Sequence, residues 1–338
     1  MSALRVALIG AGGIGEHHAA RYSKVSGAEL VATVDVDGER AKAVAEKYGI
    51  PNAYTSIDEA IAAGGLDAVD ICLPTWLHKE AAVKAAEAGL HVLCEKPMAV
   101  SLEDADAMID AANAAGVKLM IAQCRRWDNY WGAVEKALKS GVIGGPVVWR
   151  DVQGSQGPKP AWFYARDKGL GPLVDGAIHN YDFARVMFGE ASWAFASTRN
   201  FKDVTAPDTG IAIVRFESGD ELQLSWTWGL PQGSYSARAM DILGPEGVLY
   251  FGSPGRNVEV PPAPEGHGQI VAVRKDGEIV PITYEINDMY VDEIQHFVDC
   301  VNSGETPNPS GEEGRRSLAI GMAVLESGES GSVVQLGA

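Results

Sequence analysis

The chain reads as a two-part α/β protein: an N-terminal Rossmann-type doubly wound parallel sheet, then an α+β domain with a largely antiparallel sheet and helices. Three observations carry this. Up to residue 123, short apolar runs alternate with helix-forming stretches, the pattern of parallel strands joined by crossover helices. A glycine-rich loop, GAGGIG (10–15), stands where the first run gives way to the first helix. From residue 191 the alternation is replaced by strand-like runs with tight-turn signals between them.

The first strand is LRVALIG (4–10), a near-continuous apolar run of the kind buried on both faces. Helix-like GIGEHHAARYSKV follows, then strand AELVATVD (28–35) and helix GERAKAVAEKYG, closed by Gly49. A short NAYT strand, an IDEAIAAGG helix and strand LDAVDICLP (66–74) come next. Helix HKEAAVKAAEAG, strand LHVLCE (90–95), helix SLEDADAMIDAANAAG and strand VKLMIAQ (117–123) complete the first domain. Ser101, with Asp104 three residues on, caps the last of these helices. The division is set at 1–122 and 123–338.

In the second domain WDNYWGAVEKALKSGVIGG reads as a helix and GPVVWRDVQGS as a strand. Residues 156–174 read as a loop rich in glycine, proline and aromatics, and about 175–188 as a helix. SWAFASTRN, GIAIVRFESGDELQLSWTWG, ARAMDILGPEGVLYFG and IVAVRKDGEIVPI are strand runs, with hairpin turns at ESGDE and KDGE. Two helices close the chain, at about 289–302 and 310–326.

The composition narrows the function. With 338 residues, 46% hydrophobic and 22% charged, the chain has the balance of a soluble protein of two domains. A net charge of −17 argues against nucleic acid and against an anionic membrane surface as partners. No apolar run reaches the length of a membrane span, and MSALRVALIG lacks the plan of a signal peptide. Four scattered cysteines without a CxxC fit a reducing cytoplasm and no zinc knuckle. Cys72 and Cys94, in apolar runs, read as small hydrophobes.

Gly10, Gly12 and Gly15 have the G-x-G-x-x-G spacing of a dinucleotide loop, with a buried strand before it and a helix after it. The first glycine makes the tight turn, the second admits a pyrophosphate to the backbone, and the third packs helix on strand. Gly13 and Ile14 complete the loop and count with it as cofactor contacts. Asp35 ends the second strand, where a carboxylate binds adenosine ribose hydroxyls and repels a 2′-phosphate. Val36 offers no cation, so NAD is favoured; Arg40, nearby, keeps NADP open. His17 and His18, in the following helix, read as helix residues near the domain surface.

Two further features admit several readings. Asp175, His179 and Asp182, spaced four and three apart, share one face of a helix. They suit a metal site, an acid–base pair or a set of structural polar groups; a metal needs more ligands than one helix supplies, so none is expected. In LHVLCEKPMAV, Glu95, Lys96 and Pro97 stand at the carboxyl end of a parallel strand, the edge where such sheets bind ligands. Lys96 there is either a stabiliser of a developing alkoxide or a surface lysine.

Taken in order, GAGGIGEHH, LPTWLH (73–78), CEKP (94–97), QCRRWD (123–128), DGAIHNYD (175–182) and SGETPNPSGEEGRRSLAIGMAVLES span nearly the whole chain. Together they resemble the glucose–fructose oxidoreductase, inositol dehydrogenase and MocA (Gfo/Idh/MocA) family, largely NAD(P)-dependent dehydrogenases and reductases of sugars and cyclitols. The resemblance implies that Lys96 is the active-site lysine, Asp175 a substrate-binding acid and His179 the proton donor or acceptor. It implies cofactor contacts from Pro74, Thr75 and His78, with Glu95 and Lys96 beside them, and pairing of subunits into homodimers or homotetramers through the second domain's sheet. The chemistry agrees: a neutral imidazole can take the proton of an alcohol while a nearby ammonium steadies the oxygen.

Arg126 and Trp127, at the domain junction, and Trp162, in the aromatic loop, join Lys96, Asp175 and His179 as candidates for the substrate wall. Arg126 can equally meet nicotinamide or a structural carboxylate. Asp182 is assigned a structural role by preference. The leading reading is an NAD-dependent oxidoreductase acting on a hydroxyl or keto carbon of a sugar or cyclitol. Its alternatives are an NADP-dependent sugar reductase, a relative that recycles a tightly bound cofactor between two sugars, and a non-catalytic NAD(H)-binding sensor.

Overall fold

In a computed structural model, which describes residues 3–251 and 259–337, the chain divides into two compact units. One comprises Met1–Cys124 with Asp288–Leu318, the other Arg125–Asn287 with Ala319–Ala338. Among the described residues no helix is long and apolar enough to cross a membrane.

The first unit is a strand–helix alternation: β1 (Leu4–Ile9), α1 (Gly13–Tyr22), β2 (Ala28–Val34), α2 (Gly38–Tyr48), β3 (Asn52–Tyr54), α3 (Ile57–Ala63), β4 (Ala68–Ile71), α4 (His78–Glu87), β5 (His91–Glu95), α5 (Leu102–Ala115) and β6 (Leu119–Ala122). Its six parallel strands run β3-β2-β1-β4-β5-β6, so the order reverses direction between β1 and β4. In such sheets the ligand crevice lies at that switch point, beyond the carboxyl ends of the strands. The strands are apolar because helices cover both faces. Val6, Leu8, Ile71 and Leu93 are fully buried, and each such side chain contributes roughly 1.5–3 kcal/mol on leaving water. Helix starts follow local chemistry: Asp37, Ser56 and Ser101 each accept a backbone N–H of the first turn of α2, α3 and α5.

The second unit contains α6 (Asn129–Lys139), β7 (Val148–Gly154), α7 (Ile178–Phe188), β8 (Ala191–Arg199), β9 (Thr209–Phe216), β10 (Glu221–Thr227), β11 (Ala237–Gly244), β12 (Gly247–Tyr250), β13 (His267–Arg274) and β14 (Ile279–Glu285). After α8 (Met289–Ser303) and α9 (Gly311–Ser330), the two-residue β15 (Val334–Gln335) ends the list. Its nine strands run β14-β13-β12-β11-β7-β10-β9-β8-β15. All neighbours are antiparallel except β7 and β10. The expected turns form: Phe216 donates to Asp220 and Arg274 to Glu278. Gly252, the last residue of the ARAMDILGPEGVLYFG run, lies outside the described residues.

Two expectations need correction. The sequence reading assigned all of 123–338 to the second domain, but residues 288–318 return to the first unit. There Tyr290 packs edge-on against His17 at 4.3 Å, Arg21 binds Asp288 at 3.1 Å, and Ile121 donates to the Pro309 carbonyl. Gly314 permits the close approach, since a Cβ there would meet Ile121 at 2.5 Å. The continuous helix expected over 175–188 is also absent. Leu170 and Gly171 have φ of 63° and 74°, and Pro172–Gly176 forms one wide turn. The α-helix begins only at Ile178.

Candidate functional site

In the first unit the glycine loop is built as its spacing requires. Gly10 has φ 100°, and a Cβ there would stand 2.5 Å from the Cys72 carbonyl oxygen. At Gly15 a Cβ would stand 1.8 Å from the Gly10 oxygen, so the helix can cross the loop only without a side chain. Gly12 and Gly13 differ: among the described residues nothing lies within 4 Å of a Cβ at either. Their openness is where a pyrophosphate can approach the backbone. Gly12 precedes α1 in extended conformation with no side chain capping it, which leaves the first-turn N–H groups of a ten-residue helix to face an anion. These features fit a dinucleotide.

Asp35 lies against this loop. One carboxylate oxygen accepts from Ala11 N at 2.9 Å and the other from Asp37 N at 2.9 Å. Arg40 sits 3.6 Å from Asp35 and 3.2 Å from Asp37, so a cation does stand beside the acid. Asp35 therefore shapes the loop.

The two other edge motifs are tied together. Thr75 is buried after β4, and the His78 ring, 1% exposed, spans from the Leu73 carbonyl oxygen (2.7 Å) to that of Pro97 (2.9 Å). Burial pulls this ring below its ordinary pKa, against the two carbonyls that favour its proton. His78 thus braces the Pro74–Thr75 corner against the Glu95–Lys96–Pro97 turn through its side chain. The Lys96–Pro97 bond is cis. Glu95 is buried, and its Oε2 accepts the Lys96 backbone N–H at 3.0 Å.

Sequence reasoning missed what lies behind this turn. His18, expected near the surface, is fully buried. Its Nδ1 meets Asp70 at 2.9 Å and its Nε2 meets Glu95 at 3.2 Å. Tyr22 donates to Asp70 at 3.0 Å and Cys72 at 3.5 Å. Ligand-type atoms of His18, Asp70 and Cys72 lie within 4.8 Å of one another. They are hydrogen-bonded among themselves, and burial pushes the Cys72 thiol up so that it keeps its proton. The sequence signal was there in outline: an Asp inside the otherwise apolar LDAVDICLP strand needs a buried partner.

In the second unit, Asp175 belongs to the wide turn and is buried, its N–H donating to the Gly171 carbonyl at 2.9 Å. His179 stands at the first turn of α7, half-buried. Asp182, one turn on, is paired through both oxygens with Arg126: Nε to Oδ2 at 2.8 Å and Nη2 to Oδ1 at 2.7 Å. Of the partners open to Arg126, the structural carboxylate is the one this pairing provides. Arg125 donates to Asn180 at 2.9 Å, and Asn180 to the buried Asp151 at 2.6 Å. Burial raises the Asp151 carboxyl despite these donors. The Trp127 carbonyl accepts from Asn287 at 2.7 Å. Trp162 stacks on Phe163 with centroids 3.6 Å apart, and Phe163 and Tyr164 pack edge-on to Trp228. The left-handed backbone at buried Leu170 costs of order 1–3 kcal/mol and delivers the turn that carries Asp175.

Known proteins share this plan from end to end. Residues 4–123 match the model of an oxidoreductase family with an NAD-binding Rossmann fold, and residues 135–336 the C-terminal alpha/beta domain of the same family. The myo-inositol 2-dehydrogenase of Thermotoga maritima is 30% identical over 98% of this chain and 98% of its own length. The scyllo-inositol 2-dehydrogenase (NAD(+)) of Bacillus subtilis is 29% identical over 98% of this chain and 96% of its own. The solved structure of levoglucosan dehydrogenase in complex with NADH and levoglucosan superposes with a TM-score of 0.84, at 23% identity and 99% coverage of both chains.

Proposed function

Since the chain belongs to the Gfo/Idh/MocA oxidoreductase family, we propose that it is an NAD-dependent dehydrogenase of a cyclitol or sugar, interconverting a ring hydroxyl and a ketone. One observation carries the reading most directly. The open backbone at Gly12 and Gly13, the Asp35 carboxylate and the braced Lys96 turn all belong to one Rossmann unit.

Gly10–Gly15 and the N-terminus of α1 hold the pyrophosphate, and Asp35 takes the adenosine ribose. The chemistry that bound NAD supplies is acceptance of a hydride. On the protein side, His179 takes the hydroxyl proton as the carbon loses its hydride, and returns it in the reduction. The Lys96 ammonium donates a hydrogen bond to the same oxygen as alkoxide character develops. Asp175 accepts from a neighbouring substrate hydroxyl and fixes which carbon is presented. Trp162 supplies an aromatic face for the C–H face of the ring, and Trp127 closes the wall beside it.

Two further expectations are carried as proposals: a reducing cytoplasmic setting, in keeping with four buried cysteines, and a homodimer or homotetramer. The test is a panel of inositols, pentoses and hexoses with NAD and with NADP, followed at the absorbance of reduced nicotinamide. Turnover with at least one cyclitol or sugar is expected. Tight NAD binding with no turnover across the panel overturns the enzyme reading in favour of a sensor.

A further inference from the structure

We infer that His18 is a positioning residue for the reaction: as an imidazolium clamped between Asp70 and Glu95, it fixes the carboxylate on which the Lys96 turn is seated. This rests on the role proposed above for Lys96.

One assignment of protons satisfies every contact with both acids ionised. A neutral imidazole has one donor and one acceptor nitrogen. Here both nitrogens face carboxylate oxygens, Nδ1 to Asp70 at 2.9 Å and Nε2 to Glu95 at 3.2 Å. Asp70 also receives the Tyr22 hydroxyl at 3.0 Å and the Cys72 thiol at 3.5 Å, and Glu95 receives the Lys96 N–H at 3.0 Å. Every other member is a donor; with both carboxylates ionised as acceptors, the ring donates twice. One cation between two carboxylates leaves one negative charge in a buried place. Glu95 carries the end of it next to Lys96.

The surroundings agree. Burial opposes charge on His18, but Asp70 outweighs it and holds the ring well above its ordinary range. Burial likewise opposes the Glu95 carboxylate, and His18 and Lys96 outweigh it. From α8 the group nearest His18 is the Tyr290 ring, at 6.1 Å, with Glu293 one turn further on. His17, the neighbour on α1, is held below its ordinary value, by burial first and then by Arg21, so it adds no competing charge. An otherwise apolar strand, β4, thus spends an acid on a chain of contacts that ends at the backbone of Lys96. A half-satisfied network of this kind would cost more than an apolar core. Its completeness gives the turn one geometry and sets the Glu95 carboxylate beside the lysine.

Two measurements test this on the full chain. In 15N NMR of the histidine-labelled protein, one of the seven imidazoles should stay doubly protonated past about pH 8, where an ordinary ring near 6.5 has lost its proton. That signal should disappear in His18→Gln. In Glu95→Gln, the alkaline limb of the kcat/KM profile should move down by about one pH unit. Its kcat should fall roughly 10- to 100-fold. A His18 ring that titrates in the ordinary range overturns the inference. So does a uniform loss of kcat with the alkaline limb unmoved, the mark of a scaffold role alone. His18→Gln is read by the same criteria should Glu95→Gln fail to fold. Lys96→Ala separates the two readings: full turnover there sinks the function assigned to the lysine, whatever the NMR shows of the clamp.

Discussion

Arg126 and Asp182 form a two-pronged ion pair, 2.8 and 2.7 Å long, with side chains only 8% and 1% exposed. Both ends of the carboxylate are occupied, so the polar stripe on α7 divides. Asp182 anchors the helix to the Cys124–Trp127 turn, and His179 is the member left to chemistry. Breaking a buried pair from one side strands a charge. Asp182→Ala should therefore lower stability by about 3–5 kcal/mol, seen as a lower denaturation midpoint. Arg126→Met with Asp182→Leu should recover most of that loss. A single variant as stable as the wild type would remove the anchoring role.

That pair also shows what the sequence could not display. Spacing put Asp182 on the face of His179, and spacing is local. Its partner lies 56 residues upstream, at a distance that no periodicity reports. The same holds for His18, whose acids lie 52 and 77 residues away. The GAGGIG loop and the doubly wound parallel sheet were legible because strand–helix alternation, with a glycine pattern between a buried strand and a helix, has few other uses. The break between Asp175 and His179 was not, because it depends on the left-handed backbone of Leu170. A leucine carries no sequence signal for that conformation.

The loop glycines separate cofactor binding from folding. Gly12→Ala adds a methyl group to space where no described atom lies within 4 Å. The thermal midpoint should stay within about 2 °C, because a surface change away from packing stays within about 0.5 kcal/mol. The NAD dissociation constant should rise at least roughly tenfold, since the methyl occupies the approach of the pyrophosphate. Gly15→Ala should instead fail to fold stably, its Cβ being driven to 1.8 Å from a backbone oxygen. Unchanged NAD affinity in Gly12→Ala, measured by calorimetric titration, would displace the pyrophosphate from this loop.

On the proposed reading, Asp35 and Arg40 set the choice between NAD and NADP. The acid repels a 2′-phosphate and also engages Arg40 at 3.6 Å. Asp35→Ser removes the charge, keeps a short acceptor for the Ala11 N–H, and leaves the guanidinium to meet the phosphate. The ratio of kcat/KM with NADP to that with NAD should rise by roughly tenfold or more. A ratio that does not move would assign the preference to other residues.

His179→Ala should leave NAD affinity unchanged and depress kcat by roughly 10²–10⁴, the usual worth of a placed acid–base group. Asp175→Asn should raise KM more than it lowers kcat, because it keeps the shape of the turn and weakens only a substrate hydrogen bond. Single-turnover measurements at saturating NAD distinguish the two. Near-normal turnover in His179→Ala would require another residue to carry the proton.

The His18 clamp has a signature in stability against pH. His18 is held above its unfolded value of about 6.5. Its contribution is therefore complete below that pH and is lost as the pH rises through the higher folded value. Glu95 is held below its unfolded value of about 4.3. Its contribution is complete above that pH and is lost as the pH falls through the lower folded value. The two overlap in a plateau across neutral pH, with a decline on each side. In His18→Gln the alkaline decline due to the imidazolium disappears. Glu95, buried and without its cation, then titrates higher, so the acid decline begins at a higher pH. Thermal midpoints of wild type and His18→Gln, taken from pH 4 to 10, should therefore differ most around neutral and converge at both ends. Two curves separated by a constant offset would show that the clamp holds no charge.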